Sequence, residues 1–195
     1  MPLDSQVELD DADLLARYAS GDRAAARILT QRLTPVVYRQ ALRLLWDTAE
    51  AEDVAQEAML RLWRIAPEWD AERAKVTTWL YRVTANLCTD RLRRGKRVKP
   101  GLDDVPEMED PAPSVDTKLH LDARQQALQA ALNELPERQR TAVILRHIEG
   151  LGNPEIGETL EVSVEAVESL LARGKRALKA ILNRQKEALG YLDDR

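Results

Sequence analysis

The chain has 195 residues, enough for one or two small domains that each bury a core. Charged residues make up 32% and hydrophobic residues 44%, which indicates a globular protein with much solvated helix surface. Its one cysteine, Cys88, excludes an intramolecular disulfide. The acidic start is unlike a secretory signal, and no apolar run approaches the roughly 18 residues of a membrane span. We therefore expect a cytoplasmic protein without membrane insertion.

Charge is distributed unevenly along the chain, and the formal net charge of −4 conceals this pattern. Residues 73–99 include nine Lys or Arg residues and one acidic residue, Asp90. A second basic run occupies residues 173–186. Local excesses of positive charge are typical of surfaces that face phosphate, so the acidic total does not exclude nucleic-acid binding.

The composition favours an all-α fold, because Ala, Leu, Glu and Arg are frequent while Phe is absent and only eight Gly occur. Residues 10–97 are predicted to be helical almost throughout. Asp22 is a candidate N-cap after the break at Gly21, and Pro35 marks a restart or a bend in a long helix.

Two amphipathic helices are predicted in this first half. In residues 47–65 the apolar face consists of Val54, Ala58, Leu62 and Ile65. A different face of the same helix is charged and carries Asp53, Glu57, Arg61 and Arg64. In residues 75–97 helical spacing places these apolar residues on one face: Val76, Leu80, Val83 and Leu87.

Residues 98–117 have a different character, with four Pro, one Gly and six acidic residues. Proline blocks regular structure, and a segment this polar cannot bury much surface. We therefore expect two small helical domains, residues 8–97 and residues 118–190, joined by a flexible acidic linker over residues 98–117.

The second half contains a helix-turn-helix pattern. Pro136 opens a helix that Gly150 ends, and Asn153 is the candidate N-cap of a short helix with Pro154 at its first position. Glu161 and Val162 form the turn. The next helix begins after Ser163 as its N-cap, and its core face is predicted to comprise Val164, Val167, Leu171, Gly174 and Leu178.

Three blocks of this sequence resemble the extracytoplasmic-function (group four) sigma factors of bacterial RNA polymerase. DTAEAEDVAQEAMLRLWR resembles sigma region 2.2, and WLYRVTANLCTDRLRR resembles regions 2.3 and 2.4. The stretch from LNELPERQR to LLARGKRAL resembles regions 4.1 and 4.2. The resemblance implies a sigma domain 2 that binds core RNA polymerase and opens the promoter at the −10 element, and a sigma domain 4 that reads the −35 element. It also implies an anti-sigma partner and a role in a stress or envelope response.

The resemblance assigns polymerase binding to the region 2.2-like helix, through Asp53, Gln56, Glu57 and Arg61. The alternative is a solvated helix face with i,i+4 ion pairs, such as Glu57 with Arg61.

Contacts with the −10 element are expected in the second block, where aromatic and basic residues suit unstacked bases and phosphate. The implied set is Trp79, Arg82, Asn86, Asp90, Arg91, Arg93, Arg94 and Arg97. Trp79 has an alternative role as a core residue, Asn86 as a local cap or turn, and the arginines as a basic helix end that suits the helix dipole.

Contacts with the −35 element are expected on the last helix, at Ser163, Glu165, Ala166, Glu168, Ser169, Ala172, Arg173 and Arg176. The sequence departs from the family here, since Glu168 and Leu170 stand where basic residues are common. Glutamate accepts a hydrogen bond from cytosine but repels phosphate. Glu168 therefore either reads a base or lowers the affinity for DNA.

Other functions find little support in the sequence. Cys88 lies among apolar residues and is expected to be a small core residue rather than a redox sensor. His120 and His147 lack partners at ligand spacing, and no catalytic motif occurs, so we expect neither a metal, a cofactor nor an enzyme. Two alternatives to a sigma factor stay open: a helix-turn-helix transcription regulator, and a sigma mimic that titrates an anti-sigma factor.

Overall fold

The computed structural model describes residues 9–72, 74–98 and 126–188. Regular structure in these ranges is helical throughout, so the predicted all-α fold is confirmed. The helices are α1 (Asp11–Ala19), α2 (Arg23–Leu45), α3 (Thr48–Ile65), a 3₁₀ turn (Ala66–Glu68), α4 (Val76–Val98), α5 (residues 126–133), α6 (Glu137–His147), α7 (Asn153–Leu160) and α8 (Val164–Ala188). The predicted linker lies outside the described residues, except for Val98, which ends α4.

Contacts within the chain group into two compact units, Met1–Cys88 and Thr89–Arg195. The division falls within α4. This division does not test the predicted domain limits at residues 97 and 118, which stay a prediction.

Aspartate residues begin the first three helices. Asp10 accepts a hydrogen bond from the Asp11 amide, and Asp47 accepts one from the Glu50 amide at 2.9 Å. The predicted cap at Asp22 is confirmed, because its carboxylate accepts from the amides of Ala24 and Ala25. The amide of Ala25 and the side chain of Arg17 lower the pKa of Asp22. This cap therefore stabilises the fold above the ordinary aspartate pKa, and the contribution is lost as the pH falls through the lowered pKa.

The core of the first unit contains most of the predicted apolar faces. Val54, Ala58 and Leu62 of α3 are buried, and Ile65 is partly buried. On α4, the side chains of Val76, Leu80 and Val83 are buried and that of Leu87 is partly buried. Cys88 is buried as well.

Helix α2 continues through Pro35 from Arg23 to Leu45, so the helix does not restart there. The Pro35 side chain is exposed, and a helix tolerates the missing hydrogen bond more readily on its solvent side. Later in α2, Gln40 is fully buried, and its Nε2 donates to the Tyr81 carbonyl of α4 at 3.1 Å. This bond ties the two helices together inside the core.

In the second unit, α6, α7 and α8 pack against one another. Ala142, Val143, Ile144 and Leu145 are all buried. Arg140, 8% exposed, donates to the Asn133 carbonyl at 2.8 Å and so joins the end of α5 to α6.

Gly174 marks the closest approach of α8 to α6. A Cβ at this position would lie 2.8 Å from Val143 Cγ2 and 3.4 Å from the Gln139 carbonyl oxygen. Any larger residue at this position would require the Val143 side chain to shift.

Two predictions about the helix-turn-helix are wrong. Asn153 is not the N-cap of α7 but its first residue: Gly152 is the cap, and its amide donates to the Glu155 carboxylate at 2.9 Å. The Glu155 carboxylate reaches back to the amide of the cap residue, whereas no side chain caps the amides of the first turn of α7. Val164 does not face the core but is 38% exposed, because it lies at the very start of α8 beside the turn.

The turn itself forms as predicted. Glu161 adopts a left-handed conformation with φ of 54°, and the Val162 amide donates to the Gly157 carbonyl at 3.0 Å. The Ser163 hydroxyl accepts from the Ala166 amide at 3.3 Å, which confirms Ser163 as the N-cap of α8.

We expect Gly174→Ala to destabilise the second unit by about 1–3 kcal/mol, since the added methyl group overpacks the contact with α6. Urea unfolding followed by circular dichroism measures this loss. Lys179→Ala, at an exposed position of the same helix, serves as the control and is expected to change stability little. A Gly174→Ala protein as stable as the parent would contradict the close approach of the two helices.

Candidate protein and nucleic-acid interfaces

The predicted polymerase-binding residues lie on the exposed side of α3. Asp53 and Gln56 are exposed, and Arg61 Nε lies 2.8 Å from Glu57 Oε1. The opposite side of this helix is buried, and that fixes its rotation. The Glu57–Arg61 pair is also what a merely solvated face provides, so the geometry is compatible with both interpretations.

Leu60 is a residue of this surface that the sequence analysis missed. It is 50% exposed and follows Gln56 by one helical turn, which places both on the same side of α3. Its signal in the sequence was a leucine outside the apolar stripe. A single exposed leucine is common on protein surfaces, so Leu60 adds an apolar side chain to this face without deciding between the two interpretations.

The predicted −10 residues follow one another along α4. Arg82, Asn86, Asp90 and Arg93 have a spacing of three to four residues, so they share one side of the helix. Asn86, Asp90, Arg93 and Arg94 are exposed, whereas Arg82 and Arg91 are half-buried. The side chain of Arg97 lies outside the described set. Asn86 occupies the interior of α4, which removes its alternative role as a cap or turn residue.

Trp79 packs against the core of the first unit. Its ring meets that of Trp69 edge to face, with centroids 6.0 Å apart and planes at 87°. The alternative of a core tryptophan is therefore supported, and the Trp79 side chain is partly buried rather than fully enclosed.

The predicted −35 residues lie on the outer side of α8. Those that are exposed are Ser163, Glu165, Glu168, Ser169, Ala172, Arg173 and Arg176, while Ala166 is half-buried. Val167 and Gly174 are buried on the other side and fix the rotation of the helix. Arg173 Nε donates to the Ser169 carbonyl at 3.2 Å, so this guanidinium lies along the helix.

The helix-turn-helix carries a concentration of negative charge. Residues 147–172 contain six glutamates and neither Lys nor Arg. Hydrogen bonds from its own backbone amide and from Ser163 lower the pKa of Glu165 and so keep its carboxylate ionised. The first positive charges of α8 appear at Arg173 and Lys175.

Comparisons with known proteins identify the family. The Sigma-70 region 2 model matches residues 29–98, and the Sigma-70 region 4 model matches residues 125–178. SigE of Mycolicibacterium smegmatis is 37% identical over 171 residues, which cover 84% of this chain and 65% of that relative. SigM of Mycobacterium tuberculosis is 34% identical over 187 residues, 95% of this chain and 88% of the relative. The chain belongs to the ECF RNA polymerase sigma factors.

A solved structure supports the same assignment. The structure of CnrH in complex with the cytosolic domain of CnrY matches with a TM-score of 0.67 and 26% identity, covering 89% of this chain and 97% of that one. CnrH of Cupriavidus metallidurans is an RNA polymerase sigma factor. The predicted function of an alternative sigma factor is thus confirmed, and neither a helix-turn-helix regulator nor a sigma mimic is favoured.

The two family regions correspond to the two sets of helices in this sigma factor. Region 2 covers most of α2 together with α3 and α4, and region 4 begins just before the described part of α5 and ends within α8. Within the described ranges, no helix is both long and apolar enough to cross a membrane.

Proposed function

We propose that this ECF sigma factor binds core RNA polymerase and directs it to specific promoters in the cytoplasm, without enzymatic activity or a cofactor of its own. Residues 8–97 act as sigma domain 2, residues 118–190 act as sigma domain 4, and residues 98–117 link them. The observation that carries the proposal is that most residues of the three predicted surfaces are exposed, on helices whose other sides are buried.

Core polymerase docks on the outer side of α3 in this proposal. Asp53, Gln56, Glu57 and Arg61 supply polar contacts, and Leu60 supplies an apolar contact among them. Interfaces gain most of their affinity from a few such side chains that lose water on binding. An ion pair such as Glu57–Arg61 adds mainly orientation and specificity, because it is already formed in the free protein.

Promoter DNA meets α4 and α8. Asn86 receives an unstacked base of the −10 element while Arg93 and Arg94 hold nearby phosphates. Arg173 and Arg176 hold phosphate or read guanine in the −35 element. Ser163 and Ser169 contribute contacts from the same side of α8.

An anti-sigma protein is the proposed regulator. It holds the sigma factor inactive and releases it in a stress or envelope response. CnrH is related to this chain and was solved in complex with the cytosolic domain of CnrY, which supports control by a protein partner. A regulator that covers the polymerase-binding and DNA-binding surfaces would silence the factor directly.

Transcription with purified components tests the central proposal. Core polymerase with this protein is expected to give transcripts with defined start sites from genomic fragments, whereas core polymerase alone gives none at those sites. Failure to bind core polymerase, or binding without site-specific starts, would contradict it.

We expect the double substitution Asp53→Arg with Glu57→Arg to weaken binding to core polymerase by several kcal/mol, on the order of a hundredfold or more in Kd, because like charges then meet at a matched polar surface. Fluorescence anisotropy of the labelled protein measures this affinity. Glu68→Arg with Glu72→Arg reverses two exposed carboxylates that follow α3 in the chain and lie outside the predicted polymerase-binding set, and this variant is expected to bind normally. A folded double mutant with unchanged affinity would remove α3 from the interface.

We expect Asn86→Ala to slow formation of the open complex more than it weakens closed-complex binding, because a base contact acts after docking. Permanganate footprinting of the −10 region follows strand opening, and gel-shift titration follows closed-complex binding. Thr89→Ala, at a half-buried position of α4 outside the predicted −10 set, is the control. Equal losses at both stages for Asn86→Ala would indicate a structural role.

Glu168 has two candidate roles that differ in their effect on DNA binding, and we favour repulsion of phosphate over recognition of a base. In that case Glu168→Lys raises affinity for all DNA alike and steepens the salt dependence by about one unit, one added phosphate contact. If Glu168 reads cytosine, Glu168→Ala instead costs about 1–3 kcal/mol on the cognate −35 element alone. Binding curves on cognate and scrambled duplexes over a salt series separate the two. No effect of either variant would mean that this side of α8 does not face DNA.

A further inference from the structure

One buried side chain of the first unit interrupts the apolar pattern of its helix. The inner side of α2 is lined by apolar residues that are at most 3% exposed: Leu29, Leu33, Val37, Ala41 and Leu44. Gln40 lies among them and is 0% exposed. A polar side chain in a core costs stability unless its polar atoms all find partners. Burial of apolar surface alone therefore does not account for a glutamine at this position.

The amide group of Gln40 is only half satisfied. Its Nε2 donates to the Tyr81 carbonyl of α4 at 3.1 Å. Its Oε1 has no hydrogen-bond partner among the described residues. Such a side chain adds little net stability, because a buried acceptor without a partner costs as much as a hydrogen bond contributes, or more. An apolar side chain of similar shape would hold the fold at least as well.

An apolar side chain at this position could not supply direction. The bond from Gln40 joins α2 to one backbone carbonyl of α4, that of Tyr81, which precedes Asn86 on the same helix. A hydrogen bond weakens steeply when its length or angle changes, whereas apolar contacts have little angular preference. Because α4 is one continuous helix, a fixed carbonyl at Tyr81 also fixes the direction in which Asn86 projects. Asn86 is exposed, so that direction is presented to other molecules.

We infer that Gln40 is a positioning residue for promoter opening, which holds α4 at the rotation that presents Asn86 to an unstacked base. Recognition contacts tolerate errors of only about 0.5 Å and 10–20° in the groups that make them. Gln40 is fully buried and therefore acts through the backbone of α4 rather than on DNA. The inference rests on the proposed role of Asn86 at the −10 element.

Two substitutions of similar shape form a matched pair. Gln40→Met keeps an unbranched side chain of similar length but removes the bond to the Tyr81 carbonyl. Thr84→Val removes a hydroxyl of α4 that is also 0% exposed and has no partner among the described residues, and it leaves the bond from Gln40 in place. Both variants replace an unsatisfied buried atom with an apolar one, so neither is expected to lower the urea midpoint of unfolding. A lower midpoint for Gln40→Met alone would make Gln40 a structural residue and overturn the inference.

Hydrogen exchange of the free protein tests the link between α2 and α4 without DNA. In Gln40→Met, amides of α4 around Tyr81 are expected to exchange about fivefold faster, the effect of one lost hydrogen bond, while those of α3 keep their rates. Thr84→Val is expected to exchange like the parent protein in α3 and to show no such acceleration in α4. Unchanged exchange of α4 in Gln40→Met, or faster exchange in both helices, would overturn the inference.

Promoter opening is measured with the full-length protein and core polymerase. Gln40→Met is expected to slow open-complex formation about fivefold in permanganate footprinting. Closed-complex binding in gel-shift titration is expected to change by less than about twofold, because the substituted side chain is buried away from the docking surfaces. Thr84→Val is expected to open the promoter like the parent. Equal losses at both stages for Gln40→Met, or equal slowing by Thr84→Val, would contradict a positioning role.

A double substitution tests whether Gln40 acts through Asn86. If it does, Gln40→Met with Asn86→Ala opens the promoter no more slowly than Asn86→Ala alone, because the side chain being positioned is already absent. Additive losses would mean that Gln40 acts by another route and would overturn the inference.

The parent protein separates this inference from the proposed function. Absence of site-specific transcripts from the parent would reject the proposed function and the role of Gln40 with it. Normal transcription by the parent, together with opening by Gln40→Met at the parent's rate, would reject the role of Gln40 alone and leave the sigma function intact.

Discussion

Gly174 lets α8 lie directly against α6, and the outer surface of the helix-turn-helix depends on this contact. With no side chain at that position, the backbone of α8 approaches the Val143 side chain so closely that an added Cβ would lie 2.8 Å from its Cγ2 atom. Val167, two turns earlier, is fully buried on the same side. The two buried residues define the rotation of α8 about its own axis, and that rotation exposes Glu165, Glu168 and Arg173.

Electrostatics divides the second unit into two regions. The turn and the start of α8 are negative, whereas α8 becomes basic from Arg173 onward. Binding to DNA depends mainly on phosphate contacts. We therefore expect the negative first turns of α8 to contribute little DNA affinity when the domain is alone. Tethering to polymerase raises the effective concentration of the domain at the promoter, so a weak contact is sufficient there.

The sequence predicted most of the fold, because periodic apolar residues mark the buried side of a helix independently of its neighbours. Val54, Ala58, Leu62 and Val167 all lie where that pattern placed them. The pattern failed at Val164, since burial at a helix start depends on whether a neighbouring element reaches it.

Competition between two neighbouring residues for the N-cap position explains the wrong prediction at the start of α7. Both Gly152 and Asn153 suit an N-cap, and the choice depends on Glu155, whose carboxylate binds the Gly152 amide. Gly174 was correctly assigned to the buried side, but the contact distance that requires glycine is a tertiary property. The site residues came from the resemblance to a family, and the structure adds to them only their exposure and Leu60.

Helix α4 depends on a directional contact as well as on apolar packing. Apolar side chains alone tolerate small rotations and slides of a helix, since dispersion contacts have little angular preference. The hydrogen bond from Gln40 to the Tyr81 carbonyl has a defined length and direction inside the core. Gln40 Oε1 has no hydrogen-bond partner among the described residues, so a slide of α4 by one residue would leave Nε2 unsatisfied as well, at a cost of about 1–3 kcal/mol. Gln40 thereby selects the arrangement in which Val83 is buried and Asn86, three residues later, faces solvent.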